Sequence, residues 1–368
     1  MKVLVTGGVG FIGSHLIDSL IDINYEVWSL DVNPPNEYKN NKCKYITKSI
    51  CEDLSDILAN NFDVVYHLAS EVGAGLSMAD PGKFVNVNNY GTCNLLEQLR
   101  NLNKFPKIIL SSSATVYGEA TYECKNHGIK YPGFRSLKQL EDKQWEVKCD
   151  ICNEFMKPLP ISENRPLQPN SIYGISKLSQ ERECISLSRA WGFDVVSFRL
   201  FGVFGPRQSL GNPYTGVLAM FSTRVFSDLP IDHYEDGGQL KGYTYIDDVI
   251  RAFIKAIDYK SKETNNIFNL GINEPISIKN IALKIIKNIN PEIKINCTEK
   301  FRVSDTRHSW PDVSLAKEYL NWEAETNFDD GLRRLIDWMR DLPRDQVKNS
   351  MNTFYKAEEY AIKKGLPL

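Results

Sequence analysis

The chain has 368 residues and a formal charge of −2 at pH 7, and no long block of acidic or basic residues interrupts it. This balance argues against nucleic acid or a membrane surface as a partner, and no apolar run approaches the roughly 18 residues of a membrane span. The length allows a large core and predicts two lobes.

The first residues enter an apolar strand at once, which leaves no room for a signal peptide. Eight cysteines are scattered along the chain, singly or in short pairs. In the absence of an export signal we expect these thiols to be reduced, so the sequence predicts a cytoplasmic protein.

Short apolar runs alternate with helical patterns through the first half of the chain. Predicted strands cover residues 2–6, 25–30, 44–47, 63–67, 107–110 and 195–200, and predicted helices cover 11–22, 53–59, 83–102 and 173–191. Strands that alternate with helices are typical of a doubly wound parallel sheet. We therefore predict an α/β fold with a Rossmann-type domain over residues 1–201.

A three-glycine turn connects the first predicted strand to the first predicted helix. Gly7, Gly10 and Gly13 are spaced to let a pyrophosphate approach the backbone and meet the helix N-terminus. Asp31 ends the second strand, where its carboxylate would accept a hydrogen bond from a ribose 2′-hydroxyl and repel a 2′-phosphate. The turn predicts NAD rather than NADP; a purely structural turn and a solvated strand-end aspartate are the alternatives.

A hydroxyl, a phenol and an amine follow at separations that suit alcohol–ketone interconversion. Ser113 closes a serine run at the end of a predicted strand, and Tyr173 and Lys177 lie four apart on one helix face. A nearby ammonium lowers the pKa of a phenol, which makes Tyr173 a plausible base, with Ser113 bound to the same substrate oxygen. The alternative is a surface tyrosine–lysine pair of no catalytic significance.

Together these motifs resemble those of extended short-chain dehydrogenase/reductases of the NAD-dependent sugar-nucleotide epimerase/dehydratase family, from Met1 to about Arg340. The resemblance includes Leu68-Ala69-Ser70, Asn88-x-x-Gly91 and the run from Phe198 to Arg207. It implies a smaller lobe over 202–344, either contiguous or discontinuous in the chain, that binds a nucleotide-sugar. The implied coenzyme contacts, beyond the residues above, are Phe11, Ile12, Ser49, Ile50, Leu68, Ala69, Ser70, Asn88, Ser111, Leu200 and Val203. The implied substrate contacts are Gly73, Ser113, Thr115, Gly202, Arg207, Tyr214, Thr215 and Lys241, with Arg302 or Arg307 clamping the diphosphate.

The residues after Ser113 separate the reactions that this family performs. Dehydratases of the family carry an Asp-Glu pair there and decarboxylases a glutamate, whereas this chain has Ala114 and Thr115. The resemblance thus implies a 4-epimerase, and Ser77-Met78, the 212–216 run and Arg307-His308 resemble dTDP-L-rhamnose 4-epimerase-like proteins. A dehydratase or reductase that forms a deoxysugar is the alternative, and a non-catalytic scaffold is disfavoured because the full catalytic set is retained.

An insert over residues 120–160 contains two paired half-sites, Cys124-x-x-His127 and Cys149-x-x-Cys152. Four such ligands suit one structural Zn²⁺ with tetrahedral coordination. A Cys149/Cys152 redox pair and ordinary loop residues are the alternatives.

Members of this family pair two helices of each subunit in a homodimer. The corresponding predicted helices carry an apolar stripe at Phe84, Val87, Leu95, Leu99, Ile185 and Leu187, which could equally pack inside the subunit. The tail over 345–368 is polar and basic, and we expect it to pack on the surface or fray.

Overall fold

Parallel strands form the centre of the molecule. The computed structural model describes residues 1–211, 216–260 and 266–364. The strands are β1 Lys2–Thr6, β2 Glu26–Asp31, β3 Lys44–Thr47, β4 Val64–His67, β5 Lys107–Ser113, β6 Thr121–Cys124, β7 Gly128–Lys130, β8 Lys157–Leu159, β9 Val195–Leu200, β10 Val203–Phe204, β11 Ile231–His233, β12 Leu240–Lys241, β13 Thr244–Tyr245, β14 Ile267–Leu270, β15 Ile276–Ser277 and β16 Ile295–Cys297.

Helices cover both faces of the sheet and build the second lobe. They are α1 Phe11–Asp22, α2 Ser55–Leu58, α3 Ala74–Ala79, α4 Pro81–Phe84, α5 Gly91–Asn101, α6 Leu137–Glu141, α7 Ile172–Trp191, α8 Val217–Phe226, α9 Ile246–Asp258, α10 Ile278–Ile289, α11 Ser314–Leu320, α12 Phe328–Asp341 and α13 Arg344–Lys363. The predicted helix over 83–102 contains a π-helical segment, Val85–Tyr90, between α4 and α5. None of the helices in the described residues is long and apolar enough to cross a membrane.

Within the described residues the main sheet has seven parallel strands in the order β14-β9-β5-β4-β1-β2-β3. The direction of strand order reverses between β1 and β4, which is the point where open α/β sheets bind their ligands. Thr6 and His67 are paired across these strands, so the loops that follow them begin side by side. The parallel sheet confirms the predicted Rossmann-type α/β fold.

Successive side chains of β1 point to opposite faces of the sheet, so they pack into different apolar clusters. Val3 and Val5 join a cluster that includes helix α1 and continues into the second lobe. Leu4 faces the opposite cluster, which includes Leu95 of α5 and Ile185 of α7. A sheet buried on both faces in this way explains the continuous apolar runs of its strands.

The sheet extends past the predicted domain boundary at residue 201. Its outermost strand β14 comes from the second half of the chain and pairs with β9. The second lobe contains short two-stranded pairings, β10 with β13, β11 with β16 and β12 with β15, together with α8 and α10. The lobe is therefore not a contiguous segment between 202 and 344.

The predicted polar tail forms a regular helix. Helix α13 buries Val347, Met351 and Phe354 and packs against α8. These three side chains recur at helical spacing, so a narrow apolar stripe attaches the helix to the lobe. Of the two expectations for the tail, packing on the surface or fraying, the structure shows packing for its first three turns.

The insert is a small folded unit. Strands β6, β7 and β8 form an antiparallel sheet in the order β7-β6-β8. Val116, Tyr122, Val147, Met156 and Ile161 form a third apolar cluster beneath it. This cluster ties the insert to the loop that leaves β5.

Candidate active site

One cavity of about 1460 Å³ runs from the glycine turn to the second lobe. Pockets for a single small ligand usually occupy about 300–1,000 Å³. The cavity opens at the carboxyl ends of β1, β2, β4, β5 and β9, where ligands bind in this type of sheet. Its volume suits two ligands held side by side.

The glycine turn presents backbone to the cavity. Gly7 has a φ of +73°, which glycine adopts without strain, and its N–H donates to Leu30 O at 2.8 Å. A Cβ at Gly7 would lie 2.8 Å from Ala69 N, and one at Gly13 would lie 2.3 Å from Gly7 O. Gly10 precedes α1 without a side-chain cap, so the first N–H groups of the helix face the cavity side of the turn.

Asp31 lies at the end of β2 with 9% of its surface exposed. One carboxylate oxygen accepts from Val9 N at 3.0 Å and the other from Asn33 N at 2.9 Å. These bonds fix a negative charge beside the glycine turn. The arrangement suits a ribose with free hydroxyls and opposes a phosphate at the same place.

Most of the residues predicted to hold a coenzyme line this cavity. They are Gly7, Gly10, Phe11, Ile12, Gly13, Asp31, Ser49, Ile50, Leu68, Ala69, Ser70, Ser111, Tyr173, Lys177, Leu200 and Val203. Asn88 lies behind the wall and is fully buried. Its amide oxygen accepts from Glu71 N at 2.8 Å and its amide nitrogen donates to Ser176 Oγ at 2.8 Å, so it holds the 70–71 loop against α7.

Ser113 and Tyr173 meet at the centre of the cavity. Ser113 Oγ accepts from Thr115 N at 3.2 Å and from Thr115 Oγ1 at 2.9 Å, which leaves its own proton free to be donated. Tyr173 lies in the first turn of α7, where Ser171 Oγ caps the helix by accepting from Gly174 N. Burial raises the pKa of Tyr173, and a hydrogen bond with Ser113 acts in the opposite direction.

Lys177 lies one turn further along α7 and is fully buried. Burial lowers the pKa of its ammonium from 10.5 to about 7. Its Nζ donates to Gln180 Oε1 at 2.5 Å, and Gln180 Nε2 donates to Thr92 Oγ1 at 2.8 Å. Lys177 lines the same cavity as Tyr173, and its amine is bound to Gln180.

His67 belongs to this buried network, in which it connects Thr6 of β1 to Thr92 of α5. Thr92 donates its proton to Asn88 O, so His67 Nε2 must be the donor to Thr92 Oγ1 at 2.9 Å. His67 Nδ1 then accepts from Thr6 Oγ1 at 2.9 Å. Burial lowers the pKa of His67 to about 3, which keeps the ring neutral.

On the lobe side, five predicted substrate contacts line the cavity besides Ser113: Thr115, Gly202, Arg207, Lys241 and Arg302. Gly202 has a φ of +42°, and a Cβ there would lie 2.6 Å from Gly242 O, so only glycine fits. Arg207 pairs with Asp18 at 2.8 Å. Gly73 is absent from the cavity lining although its neighbours Val72 and Ala74 belong to it, and Tyr214 and Thr215 lie outside the described residues.

The prediction that Arg307 could clamp a diphosphate is not met. Its guanidinium is 1% exposed and donates to Glu146, Glu235 and Asp236 at 2.6–3.0 Å. All of its N–H groups are used inside the protein, so none is left for a ligand. Arg302 does line the cavity, with its guanidinium 4.9 Å from the ring of Tyr234.

The four predicted metal ligands lie together in the insert. The donor atoms of Cys124, His127, Cys149 and Cys152 all lie within 4.8 Å of one another. Cys124 Sγ lies 3.5 Å from His127 Nδ1 and 3.6 Å from Cys152 Sγ, too far for a disulfide. Tetrahedral zinc with bonds of about 2.3 Å to sulfur requires ligand separations of about 3.7 Å, so the donor set fits this ion.

Sequence reasoning missed two aromatic side chains in the cavity wall. Phe354 and Tyr355 both line the cavity, and their helix α13 packs against α8. The signal was the spacing of Val347, Met351 and Phe354, which indicates a buried helix face in an otherwise polar tail.

Comparison with known proteins identifies relatives over most of the chain. The model of the NAD dependent epimerase/dehydratase family matches residues 3–132 and 154–271. The dTDP-L-rhamnose 4-epimerase of Burkholderia thailandensis is 31% identical over 351 residues, covering 92% of this chain and 94% of the relative. A UDP-N-acetyl-alpha-D-glucosaminuronate decarboxylase of Bacillus cytotoxicus is 28% identical over 360 residues, covering 94% of this chain and 99% of the relative. The structure of UDP-glucuronic acid 4-epimerase from Bacillus cereus, in complex with UDP-glucuronic acid and NAD, has a TM-score of 0.76 at 28% identity, covering 93% of this chain and 100% of that one.

Proposed function

Because the chain belongs to the NAD dependent epimerase/dehydratase family, as its motifs predicted, we propose that it is a nucleotide-diphosphate-sugar 4-epimerase with bound NAD. The observation that carries the proposal is the meeting of Ser113 and Tyr173 in a cavity large enough for both ligands. Ala114 and Thr115 follow Ser113 and bring no titrating group to the sugar. Elimination and decarboxylation therefore lack the acid that the resemblance assigns to this position.

NAD held at the turn Gly7–Gly13 and at Asp31 would supply a reversible hydride acceptor for C4 of the sugar. The protein moves the proton: the positive charge of bound NAD⁺ would lower the pKa of Tyr173 against the effect of burial, and the phenolate would then remove the proton from the C4 hydroxyl and return it after the 4-keto sugar has rotated. Ser113 donates to the same oxygen, because Thr115 already fills its acceptor positions.

For the substrate we propose dTDP-L-rhamnose or a related nucleotide-sugar. The Ser77-Met78 and Arg307-His308 motifs and the likeness to the Burkholderia enzyme support this choice. The test is incubation of the purified protein with dTDP-L-rhamnose, UDP-glucose or UDP-glucuronic acid, with C4 epimers resolved by NMR. A product lighter by one water or by carbon dioxide, or different in mass by two hydrogens, would refute epimerisation and favour the other reactions of the family.

The role of Tyr173 is tested by Tyr173→Phe. Loss of the proton-transfer group should lower kcat by about 10²–10⁴-fold while NAD stays bound. Tyr131→Phe, at an exposed tyrosine of the insert, is the matched control and should leave kcat unchanged. A Tyr173→Phe enzyme with near-normal turnover would remove the proposed base.

We propose one structural Zn²⁺ held by Cys124, His127, Cys149 and Cys152. The support is the separation of the donor atoms and the short, mainly polar loops between them, which have little apolar mass of their own. The ion would have four protein ligands and hence no open position for catalysis. Elemental analysis of protein prepared without chelators should find one zinc per chain.

We also propose a homodimer in the cytoplasm, formed through α4, the π-helical segment and α7. Phe84, Leu95, Leu99 and Ile185 of the predicted stripe are buried within the subunit. Val85, Tyr90 and Ile175 on the same helices are 50–53% exposed, and they are the apolar side chains available to a second copy. Tyr90→Asp should shift the sedimenting species from dimer to monomer.

A further inference from the structure

A loop without regular secondary structure forms the lobe end of the cavity wall. Arg302, Ser304, Asp305, Thr306 and Ser309 all line the cavity, and no helix or strand runs through these residues. A loop cannot fix its own conformation by backbone ladders, so its position depends on the groups that bind its backbone.

Three backbone atoms of this loop are bound by residues from the side of the insert. Glu119 lies between β5 and β6, and its carboxylate accepts from Arg307 N at 2.7 Å and from His308 N at 3.4 Å. Arg135 donates to Asp305 O at 3.0 Å. Glu119 and Arg135 are 4% and 6% exposed, so these bonds are protected from water.

Ion pairs between side chains also connect the insert to the second lobe. Arg307 binds Glu146 of the insert on one side and Glu235 and Asp236 of the lobe on the other. Arg135 of the insert reaches the same Glu235 at 2.8 Å. Arg135 Nε also lies 3.7 Å from Glu119, so the two guanidinium groups pair with four carboxylates between the insert and the lobe, and each charge has a partner of opposite sign.

The cluster also positions Lys241 of β12, which lines the cavity. His308 Nδ1 accepts from Leu240 N at 3.0 Å, so its Nε2 carries the proton and donates to Glu146 at 3.0 Å. The next residue, Lys241, lines the cavity and donates to Thr306 O and Thr306 Oγ1 at 2.7 Å. The loop and β12 are therefore held by one network.

We propose that Glu119, Arg135, Glu146, Glu235 and Arg307 form a lock that positions the 302–309 loop, and with it Arg302 and Lys241, to bind the diphosphate of the substrate. The inference rests on the proposed function. These five are positioning residues, since none of them lines the cavity. The insert thereby contributes to the affinity for nucleotide-sugar, while the coenzyme end of the cavity is built from other elements.

The test compares Arg135→Met and Glu146→Gln with wild type. Loss of one charge-assisted contact in the lock should raise the Kd for UDP or dTDP, measured calorimetrically, by about tenfold or more. KM should rise more than kcat falls, and the NAD content per chain should be unchanged. Glu123→Gln, at an exposed glutamate of β6 in the same insert, is the matched control and should bind as wild type does.

Two results would contradict the proposed positioning role of these residues. Unchanged nucleotide affinity in both variants, or a parallel loss of NAD that marks a general structural role, would overturn the lock. Glu146 is 40% exposed, so Glu146→Gln carries the test if Arg135→Met does not fold. If wild type binds neither UDP nor dTDP, the proposed function fails and the lock fails with it, whereas normal wild-type binding with unaffected variants refutes the lock alone.

Discussion

The buried amine of Lys177 should destabilise the folded protein at neutral pH, and Lys177→Met tests this. The pKa of the amine is lowered from 10.5 to about 7 in the folded chain. At pH 7 the unfolded chain binds a proton that the folded chain holds only half of the time. Integrated over the difference in pKa, this costs folding about 4 kcal/mol at pH 7.

Methionine has a similar shape and no charge, so the variant escapes this cost. The substitution leaves Gln180 Oε1 without its donor, and this loss cancels about 1–3 kcal/mol of the stability gained by removing the amine. We therefore expect the nucleotide-free variant to be more stable than wild type by about 1–3 kcal/mol at pH 7. The sign follows from the lowered pKa: the penalty is full below pH 7, shrinks as the pH rises, and disappears near 10.5.

The assay is urea unfolding at several pH values between 7 and 10, followed by tryptophan fluorescence. Only the difference between variant and wild type is interpreted, because other groups titrate in this range. Lys287→Met, at an exposed position of α10, should show no pH-dependent difference. A Lys177→Met protein that is less stable than wild type at pH 7, or whose advantage does not shrink toward pH 10, would refute the reasoning.

Three further predictions concern the turn, the metal and the core. Gly13→Ala places a Cβ 2.3 Å from Gly7 O and should lower both the Tm and the NAD content, whereas Gly82→Ala, with no atom within 4 Å, should change neither. Cys149→Ser should abolish zinc in elemental analysis and lower the Tm; a zinc content equal to wild type would remove it from the ligand set. Glu181→Gln leaves the buried guanidinium of Arg199 without its carboxylate partner at 2.6 Å and should cost about 3–5 kcal/mol in denaturant unfolding. A cost under about 1 kcal/mol would mean that the pair is not buried as described.

The predictions that held from the sequence depend on local patterns. Sequence alone could locate the glycine turn and the two strands that end at Asp31 and Ser113. Hydrophobic periodicity and the glycines that interrupt it are properties of neighbouring residues. The pairing of the two half-sites at Cys124 and Cys149 was also accessible, since paired ligands at short spacing indicate one site.

The residues that sequence reasoning misplaced depend on distant partners. Arg307 carries the right chemistry for a diphosphate, but its position is decided by Glu146, 161 residues away, and by Glu235. Asn88 lies in a π-helical segment that the periodic pattern did not predict, and its amide nitrogen donates to Ser176, 88 residues away. Such contacts are set by tertiary packing and leave no periodic signal.

The late origin of strand β14 has a consequence for synthesis on the ribosome. Until residues 267–270 leave the exit tunnel, β9 has no neighbour on its outer side and is an open sheet edge. Open edges pair readily with other extended chains. While the ribosome adds the roughly 70 residues between β9 and β14, the first six strands of the main sheet have already been synthesised but one edge is still open. During this time the nascent protein is exposed to misassembly.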